Sequence, residues 1–133
     1  MYRFSCFALI GLGVLHLIAL GVDAASYAPG WLEGILWTFE HWAGVEDQRR
    51  DLVLAGFAFW STVGSMGVAL VGLGYVLLWI DDQGLTAPRL LIEGLVAWAL
   101  IATLLMPPSG FPLVLLASLG LLTKQRGNPG TKA

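Results

Sequence analysis

The sequence predicts an all-α, polytopic membrane protein: a four-transmembrane-helix bundle with an extra interfacial amphipathic helix between the first two spans. Three observations carry this. Apolar residues make up 57% of the chain and charged ones 12%, with a mean hydropathy of +0.77, whereas soluble domains are about one quarter charged. The apolar residues gather into four stretches separated by short polar or Pro/Gly breaks. Only two ionisable side chains fall well inside those stretches, His16 and Glu93. A chain of 133 residues has too little interior to hide this much apolar surface from water.

The first stretch, 4–22, holds about 19 residues, close to the ~20 that cross the hydrocarbon of a bilayer. Arg3 before it and Val22-Asp23-Ala24 after it have the look of a secretory signal. Signal cores run to about 7–15 residues, however, and this one contains His16, so it reads as a retained helix. The second stretch, 52–80, is about 29 residues or roughly 43 Å as a helix, long enough to tilt or protrude. Asp81-Asp82-Gln83-Gly84 ends it, with Gly84 suited to a left-handed cap. The third, 87–106, is expected to start at Thr86 as N-cap with Pro88 in its first turn. Pro107-Pro108-Ser109-Gly110 forces a stop and reversal. The fourth, 111–123, is short, and Lys124 and Arg126 help its end reach the surface. The small polar segment 127–133 reads as a frayed tail.

Between the first two spans, Tyr27-Ala28-Pro29-Gly30 reads as a turn. Residues 31–43 then fit an amphipathic helix. Trp31, Leu32, Ile35, Leu36, Phe39, Trp42 and Ala43 share one arc, opposite Glu33, Glu40 and His41. Its place is the interface, with tryptophans at headgroup level and Gly44 as its end.

Positive charges set the orientation. Arg3, Arg89, Lys124, Arg126 and Lys132 fall on one side of four spans and Arg49 and Arg50 on the other. Both termini are therefore expected in the cytoplasm, with the membrane being the cell's inner one. The net charge of −2 excludes the basic surface that nucleic acid requires. A single cysteine, Cys6, excludes an internal disulfide or a Cys-rich metal site.

Ionisable groups within a membrane are expensive and often functional, so His16 and Glu93 are the candidates for acid–base chemistry. On four spans they lie about 10 Å apart along the membrane normal, too far for a direct dyad. The spacing of Arg89 and Glu93 is that of an ion pair on one helix face; Lys124 and Arg126 are alternative partners for Glu93. His16 falls at the height of Trp60, Ser61, Thr62 and Ser65. With Thr103 these define the best pocket for a small lipophilic molecule, although membrane hydroxyls commonly bond their own backbone. Gly64, Gly67, Gly72 and Gly74 make the second stretch a close-packing surface, for the bundle itself, another membrane protein or a second copy. Glu33, Glu40 and His41 on a solvated face are ordinary surface rather than a metal site. There is no nucleophile elbow, phosphate loop, CxxC or HExxH motif. No cofactor is indicated, and the expectation is a non-enzymatic accessory or interaction subunit.

Three segments carry a resemblance: Gly13-Val14-Leu15-His16, Phe57-Ala58-Phe59-Trp60 with Gly64, and Met106-Pro107-Pro108-Ser109-Gly110-Phe111. In order and spacing the chain resembles an uncharacterised family of small bacterial four-helix membrane proteins, known as a domain of unknown function. Leu17 stands where that pattern has a hydroxyl residue after the histidine, and the Trp-rich loop looks expanded. The resemblance implies a four-helix integral membrane protein and no particular activity.

Overall fold

The computed structural model of the chain describes residues 1–126; the expected tail at 127–133 lies outside the described residues, as does any pairing of the Arg126 side chain. Among the described residues every regular element is helical. Helix α1 is Tyr2–Ala24, followed by a 3-10 turn at Ala25–Tyr27 and the short α2, Ala28–Leu32. Two more 3-10 turns, Phe39–Trp42 and Val45–Asp47, lead into α3, Arg50–Ser61, and α4, Met66–Asp82. Helices α5, Arg89–Leu105, and α6, Phe111–Arg126, complete the chain. Two helical stretches, Tyr2–Leu32 and Arg50–Asp82, are long and apolar enough to cross a membrane. Their most apolar windows are only 22% and 28% buried, the reverse of what the core helix of a water-soluble protein requires.

Four local expectations are corrected. The amphipathic helix at 31–43 does not form. Gly34 adopts φ +81° and ends α2 instead, with Gly34 N–H donating to Trp31 O (3.1 Å) and Ile35 N–H to Gly30 O (3.0 Å). This paired closure is a Schellman motif, which a glycine in the left-handed region enters without steric cost. Pro29 and Gly30, expected in a turn, lie within α2, with Pro29 in its first turn where a missing N–H is harmless.

The third correction concerns the second stretch, which is two helices broken at 62–65. Phe59 O accepts from both Thr62 N–H (3.1 Å) and Gly64 N–H (2.9 Å). The chain then passes so close over Phe59 and Trp60 that a Cβ on Gly64 would lie 2.8 Å from each ring. Ser65 restarts the helix as N-cap of α4, its Oγ accepting from Gly67 N–H (3.1 Å). The fourth is the start of α5, whose cap position is held by Pro88 rather than Thr86. Gly84 behaves as expected: at φ +71° it closes α4 by the same Schellman pattern, Gly84 N–H to Asp81 O and Leu85 N–H to Ile80 O.

The chain divides into two compact units, each described by itself. The first joins Met1–Gly13 to Leu70–Ala133. Its core takes Tyr2, Cys6 and Leu9 from α1, Leu70, Leu77 and Leu78 from α4, Ile92 and Ala99 from α5, and Val114, Ala117 and Leu121 from α6. Spacings of three, four, seven and, for Leu70 to Leu78, eight put each set on one helix face. Helices α5 and α6 form a hairpin. Ser109 closes its turn, donating to Met106 O (2.6 Å) and accepting from Phe111 N–H (3.2 Å), while Trp98 meets Phe111 edge to face.

Glycines allow two close approaches in this unit. A Cβ on Gly74 of α4 would stand 2.8 Å from the Cys6 carbonyl oxygen and 2.7 Å from Ile10 Cγ1. One on Gly120 of α6 would run into the Ser5 hydroxyl. At the same end, Asp81 accepts from Lys124 Nζ (2.7 Å) and Arg3 Nη1 (3.1 Å), and Arg3 also reaches Asp82. Lys124 donates as well to Leu85 O (2.6 Å) and lies over the Tyr2 ring. The ends of α1, α4 and α6 are thus fastened together.

Two outcomes are expected in detergent solution, read by thermal unfolding. Gly74→Ala destabilises by roughly 1–3 kcal/mol, because backbone cannot yield to the added methyl. Gly72→Ala, whose Cβ meets nothing within 4 Å, is neutral or stabilising by up to about 1 kcal/mol through helix propensity. Likewise Asp81→Ala costs on the order of 1–3 kcal/mol, between the values for exposed and buried pairs. Asp82→Ala, at a more exposed pair, costs at most about 1 kcal/mol.

Candidate functional site

The second unit, Val14–Ala69, carries the irregular backbone and the open clefts. Its connection 25–49 is built of the short α2 and three 3-10 turns, and side chains fix it to the helices. The Trp31 indole N–H donates to Ala55 O on α3 (3.0 Å), and its ring stands edge-on to Phe59. Gln48 Nε2 donates to Ala43 O (2.8 Å) and His41 O (3.2 Å). Glu40 accepts from the backbone N–H of Arg49 (2.8 Å) and from its guanidinium (3.1 Å). The Arg49 backbone N–H, aided by the guanidinium, holds the Glu40 carboxyl below its ordinary range. Glu40, together with Asp51, in turn holds Arg49 above its own ordinary value.

Two clefts open on the end of α1. One, of about 390 Å³, is lined by Leu17, Gly21, Ala24, Trp31, Thr62, Val63 and neighbouring apolar side chains. Its floor is the break between α3 and α4. The other, of about 250 Å³, is lined by Leu20, Asp23, Tyr27, Leu54, Phe57 and Ser61, with Ala19, Ala24 and Ala58 behind them. It is the more polar of the two, containing one carboxylate, one phenol and one aliphatic hydroxyl. Among the described residues no cation pairs with the Asp23 carboxylate.

The side chains singled out in the sequence are dispersed. His16 is exposed on α1 and lines neither of these clefts. Ser61 and Thr62 are adjacent in sequence yet line different clefts. The buried Thr62 hydroxyl donates to Ala58 O (2.6 Å), so it is engaged by its own helix. Trp60 is mostly exposed and packs edge-on against Phe59. Ser65 serves as the α4 cap. Thr103, in the first unit, donates to Ala99 O (2.7 Å). Arg89 Nε donates to Glu93 Oε1 at 2.7 Å, the i,i+4 pair, while Lys124 pairs with Asp81 instead. Glu33 is exposed, and among the described residues no group of three or more His, Cys, Asp or Glu is placed to hold a metal ion.

Sequence reasoning missed Asp23 and Tyr27, and it missed the Arg3–Asp81–Lys124 fastening. The signal for the latter was present. Asp81, Arg3 and Lys124 all lie at stretch ends assigned to the same side, but only the cations were used there, for orientation. For Asp23 the signal was a carboxylate immediately after an apolar stretch, followed four residues later by an aromatic ring.

Fold and site together define a protein that is helical throughout its regular elements among the described residues, with two apolar, largely uncovered helical stretches and small clefts. The chain belongs to the family of unknown function DUF6463, whose sequence profile matches residues 1–128. No curated protein and no solved structure matches it.

Acid is expected to loosen the connection 25–49. Because the Glu40 carboxyl is depressed in the folded state, its contribution is present above its unfolded value and is lost as pH falls through the lower, folded one. Hydrogen exchange at Arg49 N–H should therefore accelerate only below the ordinary carboxylate range, and Glu40→Ala should exchange fast at neutral pH as well. Equal protection of that amide in the variant would refute the assignment.

Proposed function

We propose that this is a multi-pass protein of the bacterial cytoplasmic membrane, crossing four times with both termini inside, and that it works as a non-enzymatic interaction subunit. One observation carries the reading: the stretches Tyr2–Leu32 and Arg50–Asp82 leave most of their apolar surface uncovered. Exposed apolar surface on this scale calls for lipid or a protein partner. The ionic fastening supports the four-pass path, because the start of α1, the end of α4 and the end of α6 meet at one end of the first unit. Two traverses between Asp81 and Lys124 bring the chain back to the side it left. The positive charges of Arg3, Arg89 and Lys124 then face the cytoplasm.

The interaction role rests on α4. Gly72, Tyr75, Val76 and Trp79 recur at helical spacing, and all are exposed. A glycine notch beside aromatic rings lets a second membrane helix approach closely. Since Gly72 is not used in packing its own unit, the face is open for another chain.

Membrane-impermeant thiol labelling tests the path in a Cys6→Ser background. Glu46→Cys should label in intact cells and Gln83→Cys only after lysis; the opposite pattern, or protein dispersible without detergent, would overturn it. For the interaction role, protein extracted in mild detergent should run as an assembly that Gly72→Leu dissociates without unfolding the chain. A lone monodisperse wild-type monomer would end that part of the proposal.

A further inference from the structure

We propose that the smaller cleft of the second unit, between the end of α1 and α3, binds an organic ammonium headgroup attached to an apolar body. The argument starts from charge. Asp23 presents a carboxylate at the cleft with no cationic partner among the described residues. Within the same unit the guanidinium of Arg49 is committed to Glu40 and Asp51. An anion without a counter-charge in the cleft wall selects for positive charge.

Aromatic faces sharpen the choice. Tyr27 and Phe57 line the same cleft, and ammonium groups, quaternary ones above all, are held by aromatic rings beside a counter-charge. Ser61 adds a hydroxyl oxygen able to accept from a protonated amine. A metal ion fits poorly, because one carboxylate and two hydroxyls supply too few hard ligands for calcium or magnesium.

Size and surroundings set the rest of the ligand. Drug-sized molecules occupy clefts of roughly 300–1,000 Å³, so about 250 Å³ takes a headgroup rather than a whole amphiphile. Around the cleft lie Leu20, Leu54 and Phe57, all exposed and apolar. A hydrocarbon tail leaving the cleft meets these side chains, and the ammonium remains at Asp23. On the proposed path this cleft sits at the outer end of α1, at the level of lipid headgroups, so the location of the tail rests on that reading. The headgroup site does not, since every residue in it belongs to one unit. Phosphatidylethanolamine of the bilayer and a free amphiphilic amine share this chemistry.

The test uses the full chain in maltoside micelles, titrated calorimetrically with decyltrimethylammonium and, in parallel, with neutral decanol, each corrected for empty micelles. The cation should bind saturably at one site and decanol should not. Asp23→Asn should weaken cation binding about tenfold or more. Tyr27→Ala should weaken it several-fold, with Tyr27→Phe retaining the wild-type value, which a merely structural role for the hydroxyl would not give. Equal binding of decanol, or undiminished binding by a folded Asp23→Asn protein, overturns the proposal. If Asp23→Asn does not fold, the Tyr27 pair decides, with equal affinities for Ala and Phe counting against the site. Repeating the titration in lipid discs separates the sources. Competition by phosphatidylethanolamine over phosphatidylglycerol assigns the cleft to a lipid headgroup, and absence of competition assigns it to a free amine. Labelling of the loops reports the path independently, so the two readings fail separately.

Discussion

Asp81 is the constraint on which the first unit depends. It accepts from Lys124 and Arg3 at once, and so joins the last turn of α4 to the first turn of α1 and the last turns of α6. Two of these charges sit at the unfavourable end of their own helix: a carboxylate near the C-terminus of α4 and a guanidinium near the N-terminus of α1. Neither helix gains from its own charge. The residues make physical sense only as fasteners between helices. In a bilayer that role matters more than in water, because apolar side chains there gain nothing by leaving lipid for one another. Helix register must then come from close packing and from polar contacts at the ends.

Close packing supplies the other half of the same constraint. Gly74 brings α4 against the Cys6 carbonyl, and Gly120 brings α6 against Ser5. These contacts draw the backbones together along the helices while Asp81 fixes their ends. Ser118, fully buried, returns its hydroxyl to Val114 O of its own helix. The second unit is built differently. Its connection is held by Trp31, Glu40 and Gln48 side chains reaching backbone groups, and its α3–α4 path is interrupted. The first unit is held by helix packing and end charges, the second by side chains that reach backbone groups.

What the sequence made legible followed from rules that act over a few residues. The Gly84 cap, the Pro107-Pro108-Ser109-Gly110 reversal and the Arg89–Glu93 spacing all appear in the structure as local chemistry requires. The amphipathic arc at 31–43 misled because a shared arc does not test whether the backbone can continue. Gly34 could enter the left-handed region, and two hydrogen bonds rewarded it for doing so. The break at 62–65 was hidden for a related reason. Thr62-Val63-Gly64-Ser65 is apolar enough to pass as membrane helix, yet it combines two β-branched residues, a glycine and a good N-cap. Reading Gly64 as a packing residue and Ser65 as a pocket hydroxyl concealed that signal. Of the candidate site, Ser61 and Thr62 were placed near the clefts, whereas Asp23 and Tyr27 were seen only as loop. Long-range placement was the missing information: nothing in the order of residues says that α3 packs against Ala25–Tyr27 and α2.

The break has a consequence for how binding chemistry is distributed. In an unbroken helix, Ser61 and Thr62 would stand about 100° apart on one cylinder. Here Thr62 turns inward, bonds Ala58 O and lines the apolar cleft, while Ser61 remains with Asp23 and Tyr27 on the polar one. The interruption thus separates an oily face from a charged face on either side of the same short length of α1. Both clefts adjoin this break, Thr62 lining one and Ser61 the other. Gly64 is what permits the backbone at the break to pass over Phe59 and Trp60, since a Cβ there would clash with both rings. A glycine first read as helix-packing material is therefore better understood as the residue that permits the turn between α3 and α4.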